Sequence, residues 1–358
     1  MRFEFFEYMR WAKVDAGRGE IRLTSSGLSD VSLSDLQLSA SDLSLTPDGY
    51  YPPPKLTEAY ARHYDVPPEC VFATASCSYA NAMALLSVID EGDDVLVETP
   101  CYSVLEHLAR FAGGRVIPLQ RRFESGYRLT VDDLRAAFTP RTRTVVLTNL
   151  HNPTGVLLSA AEVDALGAFT QERGATLIVD EVFLDFAPGA RTSFRPGAGR
   201  VVTTSVTKAY GLGGIRIGAA FADPDRVERM VRLNDLFVVN PPWPSTPIAL
   251  RLFERHAAAR ARIDAIAAAN RPVLREFFAR HAALEVVWPE HGITCFPRFV
   301  DRRDASPFCA ALLERCGVNV VPGRFFGAPE HMRLGFGVAT EVLREGLARI
   351  GRMLGHAV

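Results

Sequence analysis

A mainly parallel α/β sheet of seven strands, with helices on both faces and a smaller α+β domain beside it, is the fold that this 358-residue sequence predicts. Three observations carry that expectation. Short apolar, β-branched runs alternate with stretches of helical apolar spacing between about residues 70 and 222. The runs are short, with apolar and β-branched centres, as suits strands covered on both faces. Beyond residue 244 the order changes to long helical spacing followed by short strand-like runs, which suits a separate α+β unit.

The elements follow in order. The first 45 residues have an aromatic, helix-like start and then a Ser/Leu/Asp-rich segment, and the run Tyr50-Tyr51-Pro52-Pro53-Pro54 reads as a stiff extended piece. Candidate strands lie at 71–74, 94–98, 115–118, 143–149, 176–180, 201–205 and 217–221. Helical spacing occupies 78–89, 104–111, 159–172 and 224–233. The Ala/Arg-rich stretch 244–281 reads as one or two helices, with Pro272 allowing a break or kink. Strand-like runs at 284–288, 293–299, 318–321 and 332–336 precede a closing helix near 339–354. This gives an N-terminal arm and part of the small domain at 1–45, a large domain at 46–245, and an interdomain helix with the small domain at 246–358.

Composition narrows the function. A net charge of −1 offers no electrostatic case for nucleic acid or an anionic membrane. No apolar run approaches the roughly 18–20 residues that span a bilayer, and acids interrupt the apolar N-terminus, so it does not read as a signal peptide. Six cysteines (Cys70, Cys77, Cys101, Cys295, Cys309, Cys316) form no C-x-x-C pair and read as reduced thiols of a cytoplasmic protein, with no metal site expected.

The chemistry shows first in a scarcity. Lys13, Lys55 and Lys208 stand against thirty-seven arginines, forty basic residues in all. Arginine serves solubility equally well but stays protonated, so a retained lysine can be one that chemistry requires. Lys208 lies in Ser205-Val206-Thr207-Lys208, just after a predicted strand. Asp180 ends the apolar run 176–180, placing an acid at the carboxyl edge where open α/β sheets bind ligands. Asn149-Leu150-His151-Asn152-Pro153-Thr154-Gly155 follows another strand as a turn. Ser76, Cys77 and Ser78 open a helix, where free N–H groups and small side chains favour an anion. Each feature also has a plain structural reading, as cap, turn or surface residue. Their shared location at one sheet edge is what makes them a constellation.

With these motifs the chain resembles the class I/II aminotransferases, fold-type I enzymes that depend on pyridoxal 5′-phosphate. The resemblance spans about residues 21 to 351 and rests on Ser-x-x-Lys with arginine eight residues later, Asn-Pro-Thr-Gly, the strand-ending Asp180, and Arg333-Leu334-Gly335-Phe336. It implies that Lys208 holds the cofactor as a Schiff base and moves the substrate's Cα proton. Asp180 would pair with the pyridine nitrogen, and Tyr102 would stack on the ring. Ser205 and Arg216 would bind the phosphate with Ser76, Cys77 and Ser78, and Asn152 would bond the ring oxygen. Arg333 would grip the substrate α-carboxylate, assisted by the backbone of Gly27. Tyr51, or its neighbour Tyr50, would reach the phosphate of a neighbouring subunit in a homodimer. Two positions depart from the family. Phe183 stands where a tyrosine often donates to the ring oxygen, and Ser76 stands where glycine is common in the phosphate-binding turn.

The resemblance implies transfer of an α-amino group from an L-amino acid to a 2-oxo acid. A β-lyase, cyclase or oxidising reaction on the same cofactor is the alternative, and a non-catalytic cofactor-binding module is a remote one. A nicotinamide-dependent dehydrogenase is a further competitor, but its fingerprint fails: Gly211-Leu212-Gly213-Gly214-Ile215-Arg216 has arginine in the sixth place and precedes its strand. Phe5, Phe6, Tyr8, Trp11, Phe237 and Trp243 are candidates for an apolar side-chain pocket. Arg10, Arg298 or Arg324 would instead serve a distal carboxylate.

Overall fold

The computed structural model describes residues 4–43, 45–46 and 53–355. Its main sheet has strands β1 (Val71–Thr74), β2 (Asp94–Thr99), β3 (Arg115–Gln120), β4 (Thr142–Thr148), β5 (Thr176–Asp180), β6 (Arg200–Ser205) and β7 (Gly218–Phe221), in the spatial order β1-β7-β6-β5-β4-β2-β3. The pairs among β2 to β6 are parallel, and β7 runs antiparallel to both of its neighbours. This is the predicted seven-stranded, mainly parallel sheet.

Helices α1 (Glu7–Val14), α2 (Pro54–Tyr64), α3 (Cys77–Val88), α4 (Val104–Phe111), α5 (Val131–Ala137), α6 (Ala160–Glu172), α7 (Pro224–Asn234), α8 (Ser245–Glu254), α9 (His256–Arg280), α10 (Ser306–Cys316) and α11 (Thr340–Gly355) complete the chain. Successive strand side chains point to opposite faces, and both faces are apolar here. Val95, Val97, Val146 and Ile178 join a cluster with Met83 and Leu85 of α3, Leu105 of α4 and Met230 of α7. Leu96, Val145, Leu147, Leu177 and Val179 enter the opposite cluster, with Leu134 of α5 and Leu166 of α6. The Ser159–Glu162 capping box fixes the start of α6.

Some local expectations shift. The long Ala/Arg-rich stretch forms two helices, yet the break falls at Arg255, whose guanidinium reaches Gln37, and α9 runs straight through Pro272. Of the extended piece at 50–54, residues 50–52 lie outside the described residues; Pro53 is extended and Pro54 opens α2. The sequence patterns gave no sign of α2, α5 or α10. The late strands are shorter than the runs that predict them. Run 293–299 divides into β8 (Thr294–Cys295) and the pair Arg298–Phe299, parted by Pro297, which has no N–H for a ladder. With β9 (Val321–Pro322) and β10 (Met332–Gly335), β8 makes an antiparallel sheet in the order β8-β10-β9. Ile21–Arg22 pairs in parallel with Val318–Asn319, so the start of the chain joins this later part.

The topology sets the site. Thr148 ends β4, Asp180 ends β5, Lys208 follows β6 by three residues, and the turn after β1 opens α3. All four come to one edge of the sheet.

Candidate active site

A cavity of about 380 Å³ opens at that edge, with Lys208, Asp180, Asn152, Tyr102, Arg216 and Arg333 in its wall. Six residues separated by up to 231 positions in sequence therefore share one space. Among the described residues, no group of three His, Cys, Asp or Glu side chains is disposed to hold a metal ion. No helix among them is long and apolar enough to cross a membrane.

Asp180 is 3 % exposed, which would be costly for a carboxylate without partners. Oδ1 accepts from the Val182 N–H at 2.9 Å and from the Cys77 thiol at 3.4 Å, and Oδ2 accepts from Asn81 Nδ2 at 2.7 Å. Burial pushes its pKa up, and these three donors with the Lys208 charge pull the other way. Burial likewise lifts the Cys77 thiol well above its ordinary value, with Asp180 adding to the effect, so Cys77 serves as a neutral donor.

One end of the cavity gathers the start of α3 and a guanidinium. Ser76 caps α3 by accepting from Tyr79 N at 3.3 Å, and Cys77 and Ser78 supply the first turn of the helix. Ser76 adopts φ 93°, a conformation that favours glycine, so the departure noted in the sequence is a strained residue at the site. The turn also packs close against β7: a Cβ on Gly218 would lie 2.5 Å from the Ser76 carbonyl carbon. Arg216, in the left-handed region at φ 51°, brings its guanidinium to the same cavity.

Ser205 stands one layer behind. Its hydroxyl donates to the Ile217 carbonyl at 2.9 Å and lies 2.8 Å from Thr207 Oγ1, while Thr207 itself lines the cavity. The segment after β6 is no longer extended, so strand alternation in the sequence could not single out Thr207.

At the other end, Arg333 is 1 % exposed and lies in β10. Nη1 donates to Asn152 Oδ1 at 3.1 Å and Nη2 to the Thr24 carbonyl at 2.8 Å, while Nε has no partner. Phe326 lies under the guanidinium at 5.0 Å. Among the described residues no carboxylate forms an ion pair with Arg333, so a buried cation faces the cavity with neutral acceptors alone. Gly27 is close to Lys208, since a Cβ there would be 3.1 Å from the Lys208 carbonyl. Its N–H is already given to Ser25 Oγ at 3.1 Å, and Ser26 is the neighbour that lines the cavity.

Helix α1 contributes Tyr8, Met9 and Ala12 to the wall, and Tyr8 meets Tyr102 edge-on at 5.8 Å. Phe183 also lines the wall, packed on Phe186. Of the other aromatic candidates, Trp11 rests on Phe325, Phe6 on His107, and Phe5 and Phe237 are exposed; none of these, nor Trp243, lines the cavity. Arg10 is exposed, Arg298 is held by Glu285 and Glu124, and Arg324 pairs with Glu7. Tyr50 and Tyr51 lie outside the described residues. Asn81, Thr148 and Thr207 are among the site residues that sequence reasoning missed, with Met9, Ala12 and Ser26 in the wall. Only Asn81 left a usable trace, since it follows Cys77 by four positions on one helix face.

Behind the cavity, Thr148 donates its hydroxyl to Glu98 at 2.5 Å and accepts from the Asn152 N–H at 3.1 Å. Glu98 forms a fully buried ion pair with Arg121 at 2.9 Å. The loop carrying Asn152 is thus tied to the sheet through a charged anchor.

Burial pushes the Lys208 amine down to about 8, and the charges of Arg333 and Arg216 add to the shift. An unfolded chain's lysine titrates near about 10.4. Between those values the unfolded state binds the extra proton, so folding stability rises with pH. Cofactor-free protein should therefore gain thermal stability relative to Lys208→Met as the pH is raised from about 8 to about 10. A difference between the two that stays flat with pH would contradict a depressed Lys208.

An α/β sheet thus brings a lysine, an acid and two arginines around one edge cavity. Comparison with known proteins gives the class. The family model for aminotransferase class I and II matches residues 33–350, and the chain belongs to that family, whose members use pyridoxal phosphate. It is 34 % identical over 296 residues to capreomycidine synthase of Streptomyces vinaceus, covering 81 % of this chain and 76 % of that protein. It is 28 % identical over 339 residues to an aspartate aminotransferase of Geobacillus stearothermophilus, covering 86 % and 83 %. The solved structure of a PLP-dependent cyclase, OrfR, superimposes with a TM-score of 0.87 at 28 % identity over 100 % of this chain and 99 % of that one.

Proposed function

We propose that this chain is a pyridoxal-phosphate-dependent aminotransferase that moves the α-amino group of a neutral L-amino acid to a 2-oxo acid. The observation that carries the reading is the single cavity shared by the depressed amine of Lys208, the hydrogen-bonded carboxylate of Asp180, and Arg333, a buried guanidinium without an acidic partner among the described residues. The residues fit the cofactor. Arg216, Thr207 and the α3 start at Ser76, Cys77 and Ser78 would take its phosphate, with Ser205 fixing Thr207 from behind. Asp180 would hold a proton on the ring nitrogen, Tyr102 would cover the ring, and Asn152 would bond the ring oxygen. When bound, pyridoxal phosphate supplies a carbonyl that takes up amines and a ring that accepts the electron pair released at Cα.

Arg333 orients the substrate by its α-carboxylate, for which the planar fork of arginine is well matched. Lys208 Nζ, with a useful fraction of free base near neutral pH, accepts the proton leaving Cα. The substrate side chain then faces Tyr8, Met9 and Ala12. Among the described residues Lys208, Arg216 and Arg333 are the cations in the wall, and the other candidate arginines are exposed or committed elsewhere, which favours a neutral apolar or aromatic side chain. A homodimer is part of the same proposal, and the exposed run Leu236, Phe237, Val238 and Val239 offers apolar area for it. A dimer mass by light scattering is the expected result, and a monomer at micromolar concentration would refute it.

A second reading is cyclisation or elimination after the same proton removal, favoured by the similarity to capreomycidine synthase and to the cyclase structure. One measurement separates them. Without any oxo-acid acceptor, holoenzyme mixed with a neutral amino acid should release about one equivalent of the matching 2-oxo acid per subunit and then stop. Continued turnover without an acceptor, to a cyclic product or to ammonia, would replace transamination with the second reading.

A further inference from the structure

Asn81 lies one helical turn beyond Cys77 on α3, so both side chains share the face that packs on the ends of β5 and β6. Asn81 is 1 % exposed on a helix whose other buried positions are mostly Ala, Met and Leu. An amide buried there costs free energy unless both of its ends are paired. They are: Nδ2 donates to Asp180 Oδ2 at 2.7 Å, and Oδ1 accepts from Thr203 Oγ1 at 2.5 Å. The orientation of the amide follows from its neighbours. A carboxylate accepts, so the NH₂ end faces Asp180, and the Thr203 hydroxyl donates to the oxygen left over. Thr203 is the β6 residue paired with Asp180 in the sheet register, which puts hydroxyl, amide and carboxylate around one point.

We infer that Asn81, turned by Thr203, is the positioning residue that keeps the Asp180 carboxylate charged and aimed at the ring nitrogen of pyridoxal phosphate. This rests on the cofactor reading proposed above. The other groups acting on Asp180 are the Val182 N–H, the Cys77 thiol and Lys208. Glu98, from β2, is the acid whose charge couples to it unfavourably. Cys77 is the longer and weaker donor, and Lys208 is occupied when it is bonded to the cofactor. Asn81 is then the side-chain donor that remains to oppose burial. Losing a hydrogen bond to a charged group of this kind weakens what depends on it by about ten- to a hundredfold.

The test uses two ligands that differ in one atom. The full-length protein, freed of cofactor, is titrated with pyridoxal phosphate and with its 1-deaza analogue, which has CH in place of the ring nitrogen, and binding is followed by quenching of protein fluorescence. Wild type should bind pyridoxal phosphate more tightly than the analogue. In Asn81→Leu that preference should fall by about tenfold or more, with binding of the analogue little changed. Thr203→Val keeps the asparagine and nearly the same volume, so it should lower the preference in the same direction even if Asn81→Leu does not fold. Equal weakening of both ligands in these variants, with the preference intact, overturns the role of Asn81 and leaves the cofactor reading standing. A wild type that binds both ligands without preference overturns the role of Asn81 alone, and one that binds neither overturns both.

Discussion

Lys208→Ala is expected to abolish turnover, by at least about 10⁴-fold, the upper range for a positioned acid–base group. The size of the effect follows from two tasks falling on one side chain. Lys208 supplies the amine that would bond the cofactor and the base that would take the Cα proton, and the only other lysines are Lys13 and Lys55. Neither of them lines the cavity. The variant should still bind pyridoxal phosphate, since Arg216, Thr207, the α3 start and Asp180 are untouched. Its long-wavelength absorbance should be lost while the bound phosphate is retained. Lys208→Arg should be equally inactive, because a guanidinium stays protonated at working pH. A small primary amine added to Lys208→Ala should restore part of the activity. Turnover of Lys208→Ala within about tenfold of wild type would remove Lys208 from the chemistry.

Arg333→Leu has the second largest expected effect, and its sign differs between activity and stability. The guanidinium is buried and makes two bonds to neutral acceptors, with Nε left unpaired. A substrate carboxylate would complete that set with charge-assisted bonds, whose loss costs about 1.5–3 kcal/mol each. Two such bonds predict a fall in kcat/KM of about 10²- to 10⁴-fold, mainly through KM, when initial rates are measured against amino-acid concentration. Removing an uncompensated buried charge relieves desolvation, whereas Asn152 Oδ1 and the Thr24 carbonyl lose a donor. Thermal stability of the cofactor-free variant should therefore match or exceed that of wild type. A large loss of stability with unchanged KM would mean that Arg333 holds the fold together rather than the substrate.

Much of this was legible in the sequence, and the reasons are specific. Lys208 stood out because arginine has displaced nearly every other lysine, and Asp180 because it terminates a run too apolar to be anything but a central strand. The strands of the sheet were readable because the central ones are covered on both faces, which gives each a short apolar, β-branched stretch, whereas β3 at the edge is only partly buried. Arg333 was readable because an arginine inside a short apolar strand demands a partner.

What the sequence did not show depends on contacts between distant segments. Asn81 becomes a partner of Asp180 only because α3 packs across β5 and β6, ninety-nine positions away in the chain. Thr207 replaces Ser205 at the cavity because the chain leaves the strand after Ser205, and the alternation of sides is lost there. Of the aromatic residues proposed for the substrate pocket, Tyr8 faces the cavity and Trp11 turns to Phe325, since α1 offers one face inward. Arg298 looked available in sequence, yet Glu285 and Glu124 claim it. The helix break at Arg255 rather than Pro272 is of the same kind. A proline weakens a helix locally, but packing along α9 carries it through.

The most direct measurement is covalent. Purified holoenzyme is reduced with borohydride, digested, and searched by mass spectrometry for a phosphopyridoxyl adduct. The adduct should appear on the peptide carrying Lys208 and on neither Lys13 nor Lys55. An adduct confined to either of those lysines, or none on a protein shown to retain the cofactor, would contradict the role given to Lys208 and the reading of the cavity built around it.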